Sequence, residues 1–189
     1  TGKAKLLRDV IEAAQQKILE FIDQKNPDLE NKEQIAQQIG ISALTFNDLK
    51  NHRLMDVKFD WDSALSFEGA TGPYVQNAHV RLCSIMRKAD YEVSAEDVDY
   101  RQLEDDNAYE LIKILAQKAE RIRQSVESDE PCVLAQYALD IAGAAHKFIH
   151  EDRVLGSPEE KSRLFLVKCS QIVLEDVLDL LGLFPVRTM

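Results

Sequence analysis

Tyr74, Asn77 and Arg81 sit at helical spacing, with Lys88 two turns further on. At 100° per residue the four fall within about 60° of one another. A tyrosine face stacks an unpaired base, an arginine pairs with phosphate or stacks, and an asparagine reads a base edge. The same positions suit an amphipathic helix whose edge tyrosine covers core, and on chemistry alone that plainer reading is preferred.

A second group lies in "HKFIH", where His146 and His150 share a helical face with Glu151 beside them. Zinc needs at least a third ligand, and Lys147 stands where a zinc-protease helix carries glutamate. No metal is expected. None of the seven glycines builds a phosphate-binding fingerprint, which needs several of them around a helix start. Local pattern assembles no nucleophile with a base and an orienter. No catalytic residue and no cofactor are therefore expected within this chain.

Helices must position these residues. Leu7, Val10, Ile11, Ala14, Ile18, Phe21 and Ile22 follow three-and-four spacing over residues 4–25, and "NPD" at 26–28 ends that helix. A second helix is expected over about 30–39, stopped by Gly40, and a third over about 41–52. Val57, Phe59 and Trp61 alternate with Lys58 and Asp60, a short extended piece. Thr71, Gly72 and Pro73 form a helix start, and the helix runs to about Ala89. Its buried face holds Val75, Ala78, Leu82, Ile85, Met86 and Ala89. Further helices are expected over about 108–127, about 130–150 and from "SPEE" to Gly182. In the last, Ser157 is the cap, Pro158 takes the first position and Glu160 closes a capping box. Long one-faced helices with short loops make an all-α antiparallel bundle.

The 189 residues carry a net charge of −10, which weighs weakly against nucleic acid. The distribution matters more. Residues 90–110 hold nine acids against Arg101 alone, leaving only −2 elsewhere. That segment reads as a solvated acidic loop that would face away from any bound phosphate, since repulsion acts within a Debye length of ~10 Å. Arg81, Arg87 and Lys88 cluster without an acid. Lys113, Lys118, Arg121 and Arg123 are weaker candidates for backbone contacts, better read as a solvated face.

No apolar run approaches the ~20 residues of a membrane span, and residues 1–10 lack a secretory h-region. The chain starts without methionine and is taken as a fragment or a processed chain. Cys83, Cys132 and Cys169 are odd in number and widely spaced. They read as free, mostly buried thiols of a reducing, cytoplasmic compartment.

The stretch "FDWDSALSFEGATGPYVQNAHVRLCSI" resembles the arginyl-tRNA synthetase family signature W-D-x-A-L-x-F-E-G-D-T-G-P-Y-L-Q-Y-A-H-A-R-L. Ala70 replaces the usual Asp, and Asn77 the usual Tyr. "IAGAAHKFIHEDRVLG" is similar to L-A-x-A-F-H-x-F-Y-N-x-C-R-V-L-G, with Ile149 for Tyr and His150 for Asn. "LEDVLDLLGLFPVRTM" is similar to the family's ending, and "TGKAKLLRDVIEAA" to the segment after its second ATP-binding signature. The resemblance covers essentially the whole chain, although the literal D-A-L-R motif is absent.

The resemblance implies helices trailing the catalytic domain over 1–72 and a DALR-type anticodon-binding bundle over 73–189. It implies an enzyme that ligates arginine to its tRNA, using ATP with magnesium. The H-I-G-H and K-M-S-K type signatures are not in this sequence, so the chain alone is expected to be inactive. Implied partners are the anticodon stem-loop of arginine tRNA and an upstream catalytic domain. Tyr74, the position of Asn77 and Met189 would lie at the anticodon loop, with Arg81, Arg87 or Lys88 on phosphates. The alternative is a helical protein-interaction module that kept the scaffold without RNA binding.

Overall fold

A computed structural model describes residues 6–57 and 59–189 of the chain. Residues 1–5 and Lys58 lie outside the described residues, and with them the start of the N-terminal resemblance segment, the first two residues of the helix expected over 4–25 and one residue of the alternating stretch. The described residues form helices and turns, with no strand among them. The expectation of an all-α fold therefore holds.

The helix α1 (Leu7–Lys25) buries Ala14, Ile18 and Ile22 and ends before Pro27 as the proline requires. It packs on α2 (Lys32–Leu49), one continuous helix where two were expected. Gly40 does not stop it. A Cβ on Gly40 would meet the Gln15 backbone nitrogen at 3.0 Å and the Ala14 carbonyl carbon at 3.2 Å, so the glycine permits a close helix crossing. The described residues of the alternating stretch form no strand. Asp60 instead caps the four-residue α3 (Trp61–Ala64), accepting from the Ser63 backbone N–H at 2.9 Å.

Thr71 caps α4 (Gly72–Ala89), its hydroxyl oxygen accepting from the Tyr74 N–H at 3.1 Å. The acidic segment follows as two single 3-10 turns, Ala95–Asp97 and Tyr100–Leu103. It is more than a solvated loop. Val93 and Leu103 enter the core, and Glu92, Asp97 and Asp105 pair with Lys168, Lys161 and Arg163.

The single helix expected over 108–127 is two, α5 (Asp106–Leu115) and α6 (Lys118–Ser128). The break follows from a tertiary contact. The buried Tyr137 hydroxyl shares its proton between the Ile114 and Leu115 carbonyls at 3.0 and 3.2 Å, serving the Leu115 acceptor that the break frees, while the Ile114 carbonyl also accepts from the Gln117 N–H at 3.0 Å. Burial pushes that phenol up to about 12, so it remains a donor.

The last two helices are α7 (Cys132–Glu151) and α8 (Glu160–Leu180). The expected Ser157 cap is not formed. The Ser157 hydroxyl donates to the Val154 carbonyl, and Glu160, first in the helix, reaches back to the Gly156 N–H. At the far end Gly182 takes φ +69°, and the Leu183 N–H donates to the Leu178 carbonyl at 2.9 Å, a Schellman stop.

The core falls into two clusters. The larger joins α4, α5, α7 and α8 around Tyr137, Ile141, Phe148 and Leu174. The smaller joins α1, α2 and the C-terminal segment through Ile18, Ile22, Ile39 and Val186. Helix α4 lies between them, its start held against α2.

Candidate nucleic-acid interface

Helix α4 presents its polar side chains in two rows, and each row does a different job. The first row, Gln76, His79 and Arg87, holds the C-terminal segment. Gln76 Nε2 donates to the Phe184 carbonyl at 2.8 Å, His79 Nδ1 to that of Val186 at 2.9 Å, and Arg87 Nη1 to that of Arg187 at 3.0 Å. Burial holds the His79 ring below its ordinary pKa, so it is neutral and Nδ1 carries the proton for that bond. Arg187 in turn pairs with Glu175 at 2.7 Å. Arg87, a sequence candidate for phosphate, is exposed and ties down the segment's backbone with one of its donors.

The second row carries Tyr74, Asn77, Arg81 and Lys88. The first three lie within about two turns of the helix. The half-buried Tyr74 ring lies 5.0 Å from the His146 ring of α7, tilted by 45°. Arg81 is exposed, yet its Nη1 donates to His146 Nδ1 at 2.9 Å. Burial first, and then the Arg81 guanidinium, hold His146 below its ordinary pKa. His146, for which no metal is expected, accepts a hydrogen bond from an arginine. Among the described residues, no group of three or more His, Cys, Asp or Glu could hold a metal ion.

Asn77, one turn along from Tyr74, borders a cavity of about 220 Å³. Phe21 and Ile22 of α1, Phe67 and Met189 complete its wall. The Phe21 and Phe67 rings stack at 4.2 Å. Asn26 Nδ2 reaches the Met189 carbonyl at 3.5 Å. An asparagine where the family signature carries tyrosine leaves this space open beside the two aromatic rings.

Lys88 is exposed but stands apart, about 21 Å along the axis from Tyr74 at 1.5 Å per residue. The weaker cationic candidates are engaged locally. Lys113 pairs with Glu110 at 2.8 Å, Lys118 with Asp176, Arg123 with Glu120, and Arg121 donates to Gln117. The three cysteines are free thiols, Cys83 buried and the other two half-buried, and burial raises all three. No described helix is long and apolar enough to cross a membrane.

Residues 75–189 match the family described as DALR anticodon binding domain. Residues 1–61 match the one described as tRNA synthetases class I (R), catalytic domain. The helical bundle and these two matches define the class, an anticodon-binding domain of a class I tRNA synthetase. The chain is 42% identical over its full length to an arginine–tRNA ligase of Clostridium botulinum, and 40% identical over 96% of its length to one of Halothermothrix orenii. The solved arginyl-tRNA synthetase of Thermus thermophilus covers 100% of this chain with a TM-score of 0.91 at 34% identity, and that of Plasmodium falciparum covers 96% with 0.84 at 26%. The chain belongs to the arginyl-tRNA synthetase family. It spans about a third of those relatives, 34% and 32% of the two ligases and 33% and 32% of the two solved chains.

Proposed function

We propose that this chain binds the anticodon stem-loop of an arginine tRNA, and so orients the acceptor end in an enzyme that ligates arginine to tRNA with ATP and magnesium in the cytoplasm. The observation that carries the reading is the convergence of Tyr74, Arg81 and His146 beside the cavity bordered by Asn77 and Met189. Unpaired bases are recognised by stacking and by hydrogen bonds to their edges, and the flanking phosphates by cations. Tyr74 supplies the ring, Arg81 the guanidinium, Asn77 the amide and Met189 an apolar wall. Lys88 is a more distant phosphate contact. The working division of the chain is residues 1–72, which pack against an upstream catalytic domain, and residues 73–189, which hold the RNA.

The test is binding of the chain to arginine tRNA and to an anticodon-swapped tRNA across a salt series. Affinity should fall steeply with salt, and the swapped tRNA should bind more weakly. Tyr74→Ala should cost about 1–3 kcal/mol at fixed salt, the worth of one stacked base. An unchanged affinity for that variant removes the assignment. If tRNA fails to bind even at low salt, the bundle is a protein-interaction module.

A further inference from the structure

We propose that His146 is a positioning residue for RNA contact, whose neutral ring holds the Arg81 guanidinium beside the Tyr74 ring so that phosphate pairing and base stacking are offered together. This rests on the reading that the α4 edge binds RNA. It adds a residue that comes from a different helix, 65 positions away in sequence.

The geometry sets the ring's chemical state. A guanidinium has donors only, so the 2.9 Å contact to Arg81 uses a lone pair on His146 Nδ1. The ring proton then sits on Nε2. One imidazole thus meets both residues it brings together, the Tyr74 ring at 5.0 Å and the Arg81 side chain at 2.9 Å. Arg81 is the charged group acting on it from α4, and Lys147 and His150 on its own helix are exposed.

The consequence for binding is pre-organisation. An exposed arginine gives up rotamer freedom when it clamps a phosphate. Arg81 has surrendered part of that freedom before RNA arrives, which lowers the cost of association. His146 needs no contact with RNA to have this effect.

Two amide substitutions separate the ring's two contacts. His146→Asn keeps an acceptor near the Nδ1 position. His146→Gln keeps an amide near Nε2 and removes the acceptor that Arg81 uses. The full chain is titrated with an arginine tRNA transcript at fixed salt, with thermal unfolding as the check on folding. The Asn variant should stay within about twofold of the native affinity, and the Gln variant should bind about tenfold more weakly, the scale of one hydrogen bond to a charged group. The double variant Arg81→Ala with His146→Gln should bind no more weakly than Arg81→Ala alone.

Equal affinities for Asn and Gln, or losses that multiply in the double variant, overturn the proposal while leaving the RNA reading intact. A native chain that does not bind arginine tRNA overturns both. Nitrogen chemical shifts of the His146 ring give a measurement that needs no variant. They should show a proton on Nε2, and a proton on Nδ1 refutes the proposal.

Discussion

Replacing Gly40 with alanine sets two known effects against each other. Alanine is the better helix former by about 1 kcal/mol in a helix interior. If Gly40 did no more than interrupt or end a helix, the change would be neutral or stabilising. The structure predicts the opposite. The new Cβ would lie 3.0, 3.2 and 3.3 Å from the Gln15 nitrogen, the Ala14 carbonyl carbon and the Gln15 Cα. All three are backbone atoms of α1 and cannot rotate away. Carbon contacts are optimal at about 3.5–4.0 Å, so α1 and α2 must separate by several tenths of an ångström. The separation loosens Ala14, Ile18, Ala36 and Ile39, each at most 1% exposed. Overpacking of this kind costs about 1–3 kcal/mol. With overpacking at its midpoint of about 2 kcal/mol, the contact outweighs the propensity gain by about 1 kcal/mol, which lowers the melting temperature by about 2–4 °C for a chain of this size. Denaturant unfolding followed by far-ultraviolet circular dichroism measures it. A midpoint equal to or above the native value would show that α1 and α2 do not cross this closely. The displacement also has a functional reading, because Phe21 and Ile22 of α1 line the Asn77 cavity. tRNA affinity should fall with stability.

Glu130 is buried and meets His52 Nε2 at 2.9 Å and Arg53 Nε at 3.4 Å, both half exposed. Removing both partners together, His52→Ala with Arg53→Ala, leaves a buried carboxyl without these side-chain partners and should cost roughly 3 kcal/mol, whereas Glu130→Gln leaves two half-exposed side chains that water can serve and should cost about 1 kcal/mol; the reverse ranking in denaturant unfolding would refute the pairing. Burial holds the His79 and His146 rings below their ordinary 6.5, so the unfolded chain takes up protons first as pH falls. The stability these rings contribute is complete above about pH 6.5 and is lost as pH falls towards their folded values. Melting temperature should therefore drop between about pH 7.5 and 5.5, and less so in His79→Asn, which keeps a donor for the Val186 carbonyl; identical profiles would exclude His79 as a source. Asn77→Tyr should fill the cavity beside Phe21 and Phe67 and tighten tRNA binding by about 1–3 kcal/mol if a base stacks there. Isothermal titration decides it, and weaker binding would mean that the amide itself reads a base.

The architecture was legible because burial of one helical face leaves a periodic trace. Leu7 to Ile22 and Val75 to Ala89 carry that trace without help from tertiary contacts. Gly40 was misread because the same residue ends helices and admits close crossings. The two uses differ in φ, positive at Gly182 and not at Gly40, and sequence carries no φ. The break between α5 and α6 was hidden for another reason. Its cause is the hydroxyl of Tyr137, on a helix 22 residues further along. The candidate interface shows the same division. Tyr74, Asn77 and Arg81 share one helix, so spacing alone places them together. His146 shows in the sequence only as one of two histidines four apart, and that spacing says nothing about an arginine on another helix.

The two rows of α4 explain why this interface is tied to the core. Gln76, His79 and Arg87 hold the segment that ends in Met189, while Tyr74 and Arg81 meet His146 and Asn77 borders the cavity that Met189 helps to close. Both rows ride on one rigid helix, so a shift of α4 moves the stacking ring and the methionine wall together. His79 has no exposed surface and makes no contact a ligand could share, yet its bond to Val186 fixes the segment three residues before Met189. Truncating it to alanine strands a carbonyl and opens a cavity, at about 2–4 kcal/mol. Part of that loss should appear as weaker tRNA binding in protein that remains folded, because the freed segment no longer closes the wall opposite Asn77. A His79→Ala chain that melts lower but binds arginine tRNA with native affinity would separate the segment from the interface and confine RNA contact to the Tyr74 row.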